Sequence, residues 1–183
     1  RLQTVGHMYR HFLEMVEDKF SADTVDTIIE EADPPSGGAY TAVGTYDFAE
    51  MASLVTELSR TTGVGLPELL KTFGYHMAGR FEAMYPDYFA EYTSVFDFLP
   101  TVEDRIHIDV RKLYPDAELP TMICEMKENG DFTLNYQSSR PLADFAEGLI
   151  SGCADYYKEQ VTISKIDRSQ DGATDVEFTL RKT

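Results

Sequence analysis

The chain is expected to be α+β: a helical part over the first two thirds, then an antiparallel sheet with one inserted helix. Three observations predict this. Apolar residues recur at three- and four-residue steps from Phe12 to Leu113. Beyond Pro120 the pattern changes to short strand-like runs punctuated by Asn129-Gly130 and Asp171-Gly172. Between those two hairpin regions one stretch returns to helical spacing. At 183 residues a single domain over 1–183 is the natural reading, large enough to enclose a cofactor-sized cavity.

Taken in order, Phe12, Met15, Val16 and Phe20 mark a first amphipathic helix. A short second helix is expected near residues 24–31. Asp33-Pro34-Pro35-Ser36-Gly37-Gly38 is a loop by composition. Phe48, Met51, Val55 and Leu58 give a third helix, ending near Thr62-Gly63, where glycine can take the left-handed cap conformation. Pro67 suits the first turn of the next, with Leu70, Phe73 and Met77 on one face. Tyr85-Pro86-Asp87 breaks it. Val102, Ile106, Val110 and Leu113 predict a helix that stops before Pro115. Residues 121–126 and 131–138 are expected as strands joined at Glu128-Asn129-Gly130. Leu142, Phe145, Ala146, Leu149 and Ile150 place a helix over 141–157, and residues 161–166 and 174–180 form a second hairpin. No internal repeat or linker interrupts the pattern.

Bulk properties exclude several functions. A net charge of −16 repels phosphate backbones and anionic lipid, so nucleic acid and membrane surfaces are not expected partners. No apolar run approaches the roughly 20 residues that span a bilayer, and no signal peptide is visible. Cys124 and Cys153 form neither a disulfide framework nor a zinc motif, and fit a reducing cytoplasm. The chain opens on Arg1 rather than Met, so a non-native start is expected.

Two features carry chemistry. The first is a lone histidine, His107, one residue past Ile106 and three before Val110, so its ring can point inward. Taken alone, such a histidine is more often a satisfied core residue than a metal ligand. The second is the run Asn135-Tyr136-Gln137-Ser138-Ser139-Arg140. Side chains alternate along a strand, so Tyr136, Ser138 and Arg140 share a face. The plain reading is a polar strand face with Arg140 in water. A neutral imidazole is, however, the commonest protein ligand of haem iron. Two hydroxyls and a guanidinium are what a pair of haem propionates would need.

Joined at their spacing, these features resemble the H-NOX family, haem domains that sense nitric oxide or oxygen. In that family a proline follows the proximal histidine after thirteen residues, and here Pro120 follows His107 at that interval. The Tyr136-x-Ser138-x-Arg140 run stands at the family's spacing. Ala146-Glu147-Gly148-Leu149-Ile150-Ser151-Gly152 is similar to a glycine-punctuated helix of the bacterial members. Phe12-Leu13-Glu14-Met15-Val16 and Leu69-Leu70-Lys71-Thr72-Phe73-Gly74 resemble its first and later helical motifs, so the resemblance spans nearly the whole chain.

The resemblance implies that His107 is the proximal ligand of a b-type haem. It implies that Tyr136, Ser138 and Arg140 clamp the propionates and that Pro120 presses the porphyrin out of plane, a recognised lever on iron electronics. Oxygen-binding members carry a distal tyrosine five residues beyond the motif arginine. Here Phe145 stands there and has no hydroxyl, so nitric oxide is the implied ligand, with carbon monoxide binding in vitro and oxygen excluded. Phe145, Leu149 and Met8, with Tyr9 beside it, are expected near the cofactor. Some bacterial relatives place a zinc or redox cysteine three residues after the motif arginine; Ala143 occupies that position, so no second site is assigned. The family implies signalling by release of the proximal-histidine helix to a partner, typically a histidine kinase or a cyclic-di-GMP enzyme.

Other residues stay unassigned. His76 reads as a surface or core histidine, and His7 and His11 cannot be placed. No phosphate-binding glycine loop and no nucleophile–base arrangement supports an enzyme. The alternative is a module of the same fold that binds another hydrophobic ligand without haem. A haem enzyme is a weaker third reading, disfavoured by the lack of acid–base residues in the expected pocket.

Overall fold

The computed structural model describes residues 3–183, with side chains from Thr4; the expectation about Arg1 lies outside the described residues. Helices occupy the first part, as the spacing predicts. They are α1 (Gly6–Lys19), α2 (Ala22–Ala32), α3 (Phe48–Thr62) and α4 (Leu66–Met84). Their ends follow local chemistry. The Ser21 hydroxyl accepts from Thr24 N–H to cap α2, and Asp47 accepts from Ala49 N–H to cap α3. Gly63 closes α3 at φ 76°, and proline opens α4. Phe12, Met15 and Val16 face the core from α1, whereas Phe20 lies past its end and is exposed.

The second half is a four-stranded antiparallel sheet with one helix inserted, its strands lying side by side in the order Thr121–Met126, Phe132–Ser138, Thr174–Lys182, Val161–Asp167. The strands are β3 (Thr121–Met126), β4 (Phe132–Ser138), β5 (Val161–Asp167) and β6 (Thr174–Lys182), and α8 (Ala143–Tyr156) sits between β4 and β5 in the chain. In β4, Tyr136 pairs with Met122 of β3 and Val176 of β6. Helix α8 lies directly on α4. A Cβ on Gly148 would stand 2.1 Å from the Lys71 carbonyl oxygen, so only glycine permits this approach.

Four features depart from the expectation. A two-stranded sheet, β1 (Gln3–Val5) with β2 (Thr45–Asp47), flanks the start of α1; three-residue strands leave no readable alternation. Two short helices, α5 (Pro86–Ala90) and α6 (Val95–Phe98), fill the segment after the Tyr85 break. The single helix expected through 102–113 is a π turn, Val102–Ile106, followed by α7 (His107–Leu113). Through the wide turn and α7, the residues that face inward run at four-residue steps, Val102, Ile106, Val110 and Tyr114. Leu113 is therefore thrown outward and is 66% exposed.

Two apolar cores result. One gathers α1 to α4 around Tyr9, Phe12 and Leu54; the other joins α8, the sheet and α6 around Phe98, Leu134 and Phe178. Between them lies a cavity.

Candidate functional site

The cavity measures about 240 Å³ and its wall is almost wholly apolar. Helices α1, α4 and α8 form one side, with Met8, Phe73, Met77, Phe145 and Leu149. The opposite side is the segment 102–114 and the loop leading to Pro120. Tyr136 and Arg140 close one end. Seven of the eight residues singled out in the sequence thus surround one space: Met8, His107, Pro120, Tyr136, Arg140, Phe145 and Leu149. Ser138 does not line it; its hydroxyl accepts from the Arg140 backbone N–H at 3.1 Å.

His107 is the one buried residue of the π turn and α7. Burial pushes its pKa down, against the opposing pull of the Glu103 carboxylate, and so favours the neutral, metal-ligating form. Its Nδ1 lies 3.3 Å from Glu103 Oε2 without an aligned hydrogen bond.

Arg140 overturns the solvated reading. It is only 9% exposed although it lies two residues beyond the end of β4. The face alternation holds past the strand: Tyr136 and Arg140 are buried, Ser138 is half-buried, and Gln137 and Ser139 are exposed. The guanidinium donates through Nη1 to Thr4 Oγ1 at 3.1 Å and through Nη2 to the Glu118 carbonyl oxygen, while Nε has no partner. The Glu118 carboxylate is turned to Ser139, whose hydroxyl donates to it at 3.3 Å. Among the described residues, Arg140 forms no ion pair. A buried cation held only by neutral oxygens is costly and calls for an anion. Burial raises the Tyr136 phenol, so it stays a neutral hydroxyl beside that cation.

The expectation that Tyr9 shares the wall with Met8 is corrected. Adjacent helix residues point in different directions, and Tyr9 enters the helical core. Its hydroxyl donates to the Asp47 carbonyl at 2.7 Å and accepts from Met51 N–H at 3.1 Å. The residues that sequence reasoning left unplaced are His7 and His11. Both line the cavity, one helical turn apart, with rings stacked 5.0 Å centroid to centroid. Their four-residue spacing beside Met8 is the signal that could have found them. His76 faces Glu14 instead, 3.7 Å away.

The chain matches the Haem-NO-binding family model over residues 5–165. Among solved structures it is similar to the Fe(II) unliganded H-NOX protein from K. algicida. That match has 38% identity over 98% of this chain and 97% of that one, with TM-score 0.90. It is also similar to the H-NOX from Shewanella woodyi, solved bound to IWP-051 in the Fe(II)CO ligation state, at 40% identity over 98% and 95% of the chains and TM-score 0.82. An H-NOX protein from S. oneidensis in the Fe(II)NO state, 21% identical over 98% and 99% of the chains, shares the fold at TM-score 0.87. No curated protein matches the sequence. Family model, fold and the ring of side chains around one apolar cavity agree: the chain belongs to the H-NOX family of haem-binding gas-sensor domains.

Proposed function

We propose that residues 1–183 form one b-type haem sensor for nitric oxide, with His107 as the only protein ligand of the iron. The observation that carries this reading is an imidazole and a guanidinium buried on one apolar cavity, the imidazole with its pKa pushed down by burial and the guanidinium without an ion pair among the described residues. Haem, when bound, supplies ferrous iron that takes a diatomic gas, and two propionates. His107 would hold it on one side. Arg140 would exchange neutral partners for a charge-assisted bond to a propionate, with Tyr136 adding a hydroxyl from the cavity wall; Ser138, off that wall and accepting from the Arg140 backbone N–H, would keep its own O–H to donate. Pro120, Met8, Phe145 and Leu149 would supply apolar surface. The sequence has no Cys-x-x-Cys-His run for covalent attachment, which supports the b type.

Nitric oxide rather than oxygen is favoured because Phe145 has no hydroxyl and that of Tyr9 is engaged elsewhere. Movement of His107 with residues 102–113 would be the output, a local event able to bias a two-state element. A histidine kinase or a cyclic-di-GMP enzyme would read it. Among the described residues no helix is long and apolar enough to cross a membrane. Burial pushes the thiols of Cys124 and Cys153 up to about 12, which keeps them inert, and two unpaired cysteines suit a reducing cytoplasm.

Absorbance spectra test the reading. Wild type is expected to show a strong Soret band, lost in His107→Gly and restored by added imidazole. An unchanged ferrous spectrum in that variant without imidazole would contradict the ligand. No Soret band in wild type would favour a module for another apolar ligand. Nitric oxide and carbon monoxide should bind the ferrous protein, and air should give no stable oxygen complex. A persistent oxygen complex would overturn the selectivity and point to His7 or His11 as the donor.

A further inference from the structure

The π turn carries a carboxylate that meets two neighbours with one oxygen. Glu103 Oε2 accepts from Met122 N–H of β3 at 3.0 Å and stands 3.3 Å from His107 Nδ1. The His107 backbone N–H closes the wide turn on the Val102 carbonyl, one residue further back than an α-helical bond would reach. Glu103 is 29% exposed at its side chain and His107 9%. The Nδ1 atom is fully buried and has no aligned partner of its own.

An imidazole that binds metal through Nε2 must carry its proton on Nδ1, and that N–H needs an acceptor within the protein. Glu103 is the carboxylate within reach. The last torsion of a glutamate is broad, so a small rotation of its carboxylate brings the pair into line. We propose that Glu103 is the positioning residue for His107: it accepts a hydrogen bond from Nδ1–H, turns Nε2 to the cavity, and ties the ring to the sheet edge through Met122. As an anion it also makes the imidazole a stronger donor to whatever metal Nε2 holds. The proposal rests on the reading of His107 as the iron ligand and adds the group that sets its strength.

Two variants separate the parts. Glu103→Gln keeps an acceptor for Met122 N–H but removes the charge. In the haem-loaded ferrous protein it should lower the iron–histidine stretching frequency by resonance Raman and raise the midpoint potential. Glu103→Ala removes the acceptor. By nitrogen-15 NMR of the haem-free protein, His107 should change from the Nδ1–H tautomer to a mixture, and haem affinity should fall about ten-fold or more. If Glu103 only anchors Met122, Glu103→Gln will match wild type in stretch and potential, and the tautomer will not change in Glu103→Ala; that result overturns the proposal. A wild type without a Soret band would instead defeat the haem reading, while the haem-free tautomer would still decide the role of Glu103.

Discussion

Across the cavity, the α4–α8 pair and the segment 102–113 face each other with opposite kinds of support. In the pair, the helices touch backbone to backbone at Gly148, and both bury long apolar stripes. The facing segment buries only His107 and is held by polar side chains at its rim. The Tyr88 hydroxyl donates to Asp109, Arg105 donates to Glu91 at 2.7 Å, and the Arg105 guanidinium lies 4.5 Å from the centre of the Tyr88 ring. Glu103 adds the bond to Met122. Few buried apolar contacts and many exposed hydrogen bonds mark the low-stability end of a fold. The difference shows which wall can yield at little cost, and the proposed iron ligand stands on that wall.

The largest expected effect comes from breaking the tight wall. Gly148→Ala puts a methyl into the Lys71 carbonyl and forces the helices apart, so unfolding free energy should fall by about 2 kcal/mol. Ile108→Ala, on the opposite wall at an exposed position, should change it by less than about 0.5 kcal/mol. Urea denaturation of the haem-free proteins checks both, and equal losses would erase the contrast.

A smaller effect depends on pH and belongs to the helical side. His11 and His76 flank Glu14; burial lowers the pKa of each, with the Glu14 carboxylate opposing. Their folded values lie below the unfolded value of about 6.5, so the unfolded chain takes up protons first on acidification. Stability is therefore fully present above that pH and falls as pH drops through it toward the folded values. His107 contributes with the same sign. Thermal melts from pH 7.5 to 5.5 should show the decline, and His11→Gln with His76→Gln should flatten it.

The smallest global effect is expected at the latch. Tyr88→Phe removes a half-buried bond and Arg105→Ala solvent-exposed ones, all at the rim, so the denaturation midpoint should stay close to wild type. Amide exchange in residues 102–113 should nevertheless quicken. Unchanged exchange there would show that the segment is held by something other than these side chains.

The contrast between the walls was only half legible in the sequence. Helices with continuous three- and four-residue spacing, such as α3 and α4, announce themselves because burial and periodicity coincide. The Tyr136, Ser138 and Arg140 face was readable because alternation continues past the strand end. The π turn was not, because a stripe at 102, 106 and 110 fits both a narrow and a wide turn until Leu113 fails to fit. Nor were β1 and β2, whose pairing depends on chain segments some forty residues apart. The partners of Arg140 are long-range as well: Thr4 lies 136 residues away and the Glu118 carbonyl 22. Glu103, four residues before His107, was in plain view as an i, i+4 pair.

Yielding of the His107 wall is tested most directly by hydrogen–deuterium exchange of the haem-loaded ferrous protein with and without nitric oxide. Nitric oxide binding is expected to quicken exchange in residues 102–113, centred on His107, with little change across the α4–α8 contact at Gly148. Exchange that quickens in α4 and α8 while residues 102–113 stay as protected as before would contradict it.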